Sequence, residues 1–66
     1  MGTLYETKRK VEQAIEEDDL DERLTLGKIS LRAGILLPLV NENTPDDAEK
    51  LRQLEQAAAE VLGRSV

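Results

Sequence analysis

Residues 20–40 read Leu-Asp-Glu-Arg-Leu-Thr-Leu-Gly-Lys-Ile-Ser-Leu-Arg-Ala-Gly-Ile-Leu-Leu-Pro-Leu-Val. Placed on a helix at about 100° per residue, Leu20, Leu24, Leu31 and Ile35 fall within about 60° of arc. Leu26, Ile29, Ala33, Leu36, Leu37 and Val40 form a second apolar arc. Gly27, Ser30 and Gly34 separate the arcs on one side; Thr25, Lys28 and Arg32 separate them on the other. A helix that is apolar around most of its circumference is covered from more than one direction. The stretch therefore reads as the central helix of an all-α bundle, running from about residue 20 to residue 37, or as far as 40.

Two kinds of residue punctuate it. Gly27 and Gly34 lie seven apart, two turns along one line. Each glycine in a helix interior costs about 1 kcal/mol relative to alanine. Two such costs on one line point to a second backbone approaching closely there; the competing reading is a break in the helix. Pro38 lacks the amide hydrogen that would bond to the carbonyl of Gly34, so a stop or kink is expected at Leu37, with Leu39 and Val40 still directed at the core.

The flanking segments are thinner. Across residues 3–17, Leu4, Val11, Ala14 and Ile15 share one helical face, and Tyr5 covers an end of the bundle. Lys8, Glu12 and Glu16 form a row at four-residue spacing, where a Lys8–Glu12 pair contributes about 0.3 kcal/mol. Residues 16–22 hold six acids in seven positions. Asp19 followed by Glu22 fits a capping box that starts the central helix. The third helix is expected over 44–62. Thr44 would be its N-cap and Pro45 its first helical residue, with Asp46 and Asp47 set against the dipole. Ala48, Leu51, Leu54, Ala58, Val61 and Leu62 supply its apolar stripe, and Gly63 its C-cap. The short polar turn Asn41–Asn43 joins helices 2 and 3 as an antiparallel hairpin. The whole is one small three-helix domain, 1–66, completed by dimerisation.

Composition removes many chemistries. The 66 residues include 14 acids, 9 bases, no His and no Cys. Without His or Cys there is no disulfide framework, no Ser–His or Cys–His nucleophile, and none of the usual ligands of structural zinc, haem or iron–sulfur clusters. No enzyme activity, cofactor or metal is expected. The acid cluster at 16–22 lacks the alternating Asp-x-Asp-x-Asp-Gly pattern of a calcium loop and reads as a solvated helix junction. A net charge of −5 opposes nucleic-acid binding, and a single Tyr offers no stacking platform. The longest apolar run, residues 35–40, contains Pro38 and is far below the roughly 20 residues of a membrane span. A cytoplasmic protein is the expectation.

Residues 25–35, Thr-Leu-Gly-Lys-Ile-Ser-Leu-Arg-Ala-Gly-Ile, resemble the first helix and turn of helix-turn-helix DNA-binding proteins, through Leu26, Ile29 and the Ala33-Gly34-Ile35 turn. The resemblance covers 11 of 66 residues. It implies a recognition helix after the turn, with Arg23, Lys28 and Arg32 on phosphates. The chain departs from the pattern there, because Leu36-Leu37-Pro38-Leu39-Val40 has no side chain to hydrogen-bond a base edge. The same three bases read alternatively as partners of the acids on helix 1 and at the junction.

The functional expectation is a non-enzymatic protein–protein interaction module: a homodimerising docking, adaptor or small regulatory or chaperone-like protein. Two thin companions leave part of the central helix uncovered, and exposed apolar patches mark association surfaces. The expected surface is Leu26, Gly27, Ile29, Ala33, Gly34, Leu36 and Val40, with the glycines permitting close approach.

Overall fold

The computed structural model describes residues 3–44 and 47–63. Its elements are three helices, α1 (Leu4–Glu17), α2 (Glu22–Ala33) and α3 (Ala48–Leu62), with one 3-10 turn, Leu37–Leu39, between the last two. The described residues contain no strand.

Helix α1 starts on Thr3, whose hydroxyl accepts from the amide of Glu6 at 3.1 Å. Its buried face carries Leu4, Val11, Ala14 and Ile15, as the periodicity predicts, and adds Thr7. Tyr5 is partly buried against the core. After Asp18 the chain turns through Asp19 at φ 53°, and the amide of Leu20 donates to the Ile15 carbonyl at 2.9 Å. The N-cap of α2 is therefore Asp21 and not Asp19: an Asp21 carboxylate oxygen accepts from the amide of Leu24 at 2.9 Å. Asp19 is held in a left-handed turn, whereas an N-cap needs extended backbone, which Asp21 has.

Helix α2 is shorter than its apolar pattern suggests. It ends at Ala33, because Gly34 adopts φ 70° and ψ 22° and its amide closes on Ser30. Gly34 thus breaks the helix four residues before Pro38, and no neighbouring backbone presses on it. The chain then reverses. The Leu37 amide donates to the Ser30 hydroxyl at 3.1 Å, and the 3-10 turn buries Leu37 completely while leaving Leu36 and Leu39 in solvent. Val40 returns to the core, but Leu39 does not. A 3-10 turn has three residues per revolution, so a three-residue apolar run cannot send every side chain inward.

Lys8 of α1 anchors this turn. Its ammonium donates to the Val40 carbonyl at 2.8 Å and more weakly to that of Pro38 at 3.5 Å. That is a partner 32 residues away in place of the local Glu12.

Residues 41–44 fold on themselves. The Asn41 amide donates to the Thr44 hydroxyl at 2.9 Å, and the Asn43 amide to the Asn41 side-chain oxygen at 2.9 Å. Thr44 is consequently engaged in a turn and is not the N-cap of α3. That role belongs to Asp47, which accepts from the amides of Glu49 and Lys50. The expected positions of Pro45 and Asp46 lie outside the described residues. At the other end, Gly63 is the C-cap at φ 67°.

The core is one cluster. Ile29, Leu37 and Leu54 are its fully buried centre, ringed by Leu4, Val11, Ile15, Leu26, Ala33, Val40, Ala57 and Ala58. Helices α2 and α3 form the most extensive pair. In a hairpin closed at Asn41–Asn43, the last turn of α2 is expected to face the first turn of α3. Arg32 pairs instead with Glu60, near the far end of α3, at 3.0 Å. After α2 the chain bends at Gly34 and again at the 3-10 turn, Leu37–Leu39.

Candidate functional site

Helix α2 decides where a site lies, since it alone has two apolar arcs. The core takes one. Thr25, Leu26, Ile29 and Ala33 are buried within the single chain. These positions recur at steps of one, three and four, the inward stripe of an amphipathic helix.

This placement corrects the expected association stripe. Leu26, Ile29, Ala33 and Val40 cannot meet a partner, because α1, α3 and the 3-10 turn already cover them. Gly34 is the helix stop. Leu36 is exposed, but it stands on the turn beyond α2. Gly27 does lie on the outer face, where a Cβ would meet nothing within 4 Å. It makes no close approach inside this chain.

The arc left outside is the other one. Leu24 is 58% exposed and Leu31 85%, with Leu20 partly open just ahead of the helix. Leu24, Gly27 and Leu31, with Lys28, Asp21 and Arg23 beside them, line a shallow open groove along the outer side of α2. Leu24, Gly27, Lys28 and Leu31 stand at i, i+3, i+4 and i+7. Four residues so spaced form the hole that receives one side chain of a packed helix. Here the floor of the hole is a glycine, so it is deeper than a side-chain-lined hole would be. Sequence periodicity had marked this arc. The missing signal was which arc the rest of the chain would cover.

Elsewhere the surface offers little for chemistry. A groove between α1 and the acidic junction is lined by Arg9, Glu12, Gln13, Glu16, Asp19 and Glu22, with Ile15 and Leu20 beneath. Among the described residues no group of three or more Asp or Glu side chains gathers closely enough to hold a metal ion. Nor is any described helix long and apolar enough to cross a membrane. Every buried side-chain polar atom among the described residues has a hydrogen-bond partner, so no orphaned group points into a cleft.

The helix-turn-helix resemblance implied a recognition helix after Ala33-Gly34-Ile35. At that place the chain makes the Leu37–Leu39 3-10 turn, and the next helix starts only at Ala48. Of the three bases, Arg32 is tied to Glu60 on α3, whereas the expected acids were those of helix 1 and the junction.

Comparison with protein-family models, with curated proteins and with solved structures finds no match to the chain.

Proposed function

We propose that the protein is a non-enzymatic interaction module that binds a protein helix on the outer face of α2. The observation behind this reading is the exposed Leu24–Gly27–Leu31 ridge on a chain whose core is already complete without those residues. Single exposed leucines are ordinary on protein surfaces. Two leucines one above the other, flanking a glycine-floored hole and edged by charges, have the anatomy of an interface instead: apolar centre, polar rim. Helix-in-groove recognition uses anchors at this spacing. Leu36, just ahead of the 3-10 turn, and Leu39, within it, are both exposed and add apolar surface beyond the end of α2.

The test compares the wild-type chain with a Leu24→Asp/Leu31→Asp double variant. Neither leucine belongs to the core, so the variant keeps its helical circular dichroism. The wild type is expected either to self-associate in light scattering or, as a monomer, to bind an apolar dye that the variant does not bind. A wild type that is monomeric and binds no more dye than the variant would reject the reading.

A further inference from the structure

We infer that the occupant of the α2 groove is a second copy of the same chain, its α2 running antiparallel to the first across a two-fold axis. This rests on the interaction reading above and adds the partner and its direction.

The ridge has what a two-fold contact demands, since one patch must serve as both surfaces. It carries knobs, Leu24 and Leu31, and a hole, floored by Gly27. In heptad terms Leu24 and Leu31 occupy a positions and Gly27 a d position. Asp21 and Lys28 then border the seam on one side, as e positions, and Arg23 and Ser30 on the other, as g positions.

These borders select the direction. In a parallel pair, g of one helix faces e of the next heptad on its partner. Arg23 would then meet the partner's Lys28, and by symmetry the repulsion would occur twice. In an antiparallel pair e faces e and g faces g. With Leu24 seated over the partner's Gly27, Asp21 of one copy comes beside Lys28 of the other, again twice. Arg23 then faces the uncharged Ser30. Charges at e and g positions set orientation in helix pairs. Here one orientation gains two attractions and the other suffers two repulsions. The open space above Gly27 matters to the same geometry, because any larger side chain there would fill the hole that receives Leu24. With Leu24 over the partner's Gly27, the two α2 helices overlap only across residues 22–29, a seam at the small end of interface sizes, so the dimer is reversible.

Sedimentation over a dilution series, at low and at high salt, tests this with six chains: wild type, Lys28→Glu, Asp21→Asn, the Asp21→Asn/Lys28→Glu double variant, Leu24→Asp and Leu31→Asp. Asparagine caps a helix about as well as aspartate, so the substitutions at position 21 spare the fold. The wild type is expected to dimerise. Lys28→Glu sets Asp21 against an acid at both ends of the seam and should raise the dissociation constant about tenfold, since surface charge pairs are individually modest and act twice here. Adding Asp21→Asn removes that repulsion and should restore most of the loss, with all differences shrinking in high salt. If Leu24→Asp abolishes dimerisation but Asp21 and Lys28 act independently, the antiparallel pairing is overturned while the interaction surface stands. A wild type that stays monomeric yet binds the apolar dye overturns the second copy as occupant and leaves a different protein as the partner. A dimer indifferent to both Leu24→Asp and Leu31→Asp overturns this inference and the interaction reading together.

Discussion

Gly34 holds φ 70° and ψ 22° at the end of α2, while Gly27, two turns earlier, sits inside the helix with open space where its side chain would be. The two residues therefore respond oppositely to the same substitution. Gly34→Ala forces an L-residue into the left-handed region and should lower stability by about 1–2 kcal/mol. Gly27→Ala removes a helix-interior glycine without a clash and should raise the stability of the isolated subunit by up to about 1 kcal/mol. Urea denaturation of the two variants, at a dilution where the chain is monomeric, reads both signs. In the proposed dimer the same Gly27→Ala methyl would intrude on the hole that receives Leu24. Gain in the subunit and loss in the dimer is the pattern expected of a glycine kept for contact with a second chain. Lys8 is the other residue whose role is tertiary. Lys8→Met keeps the aliphatic stem but removes the ammonium from the carbonyls of Val40 and Pro38, and should cost about 1–2 kcal/mol in the same measurement. Arg32→Ala, by contrast, breaks an ion pair whose side chains are 58% and 50% exposed and should change stability by less than about 0.5 kcal/mol.

The three helices differ in how they are started and stopped. Each has an oxygen-bearing N-cap, Thr3, Asp21 or Asp47, that accepts from amides of the first turn. Asp47→Ala should cost about 1 kcal/mol and show as fraying of α3 in amide hydrogen exchange, confined to the first turn. A loss of protection spread evenly along α3 would mean that the helix start is held by packing rather than by the cap. The 3-10 turn is an element with one structural duty, which is to drive Leu37 between the helices. Leu37 is fully buried and the turn's other two residues are exposed.

With 66 residues the molecule has little stability to spare. Removing a central side chain by Leu37→Ala or Leu54→Ala leaves a cavity and should cost about 2–5 kcal/mol, enough to unfold much of the population at room temperature. Thermal melts followed by circular dichroism decide this: retention of a cooperative transition close to the wild-type temperature would place the core elsewhere. Leu24 and Leu31, of the same residue type but outside the core, should tolerate alanine with little change in the subunit. That contrast between leucines of one chain would separate folding from the proposed association.

Periodicity in the chain marked the three helices, the inward face of α1, the stripe through Leu54 and Ala58 on α3, and both apolar arcs of α2, because these patterns repeat with the helical turn and need no knowledge of neighbours. It also marked Gly63 as a stop. It did not say which arc of α2 would be covered, since coverage depends on where α1, α3 and the 3-10 turn come to lie. That is set by contacts between residues far apart in sequence. The same holds for Leu36 and Leu37, adjacent and identical in type, of which one is bare and the other wholly enclosed. Neighbouring acids posed the same difficulty at the caps: Asp19 and Asp21 carry the same carboxylate, and only the path of the backbone into α2 chose between them. A pattern records where apolar groups stand on a helix; the long-range packing of the folded chain assigns some to the interior and leaves Leu24 and Leu31 facing outward.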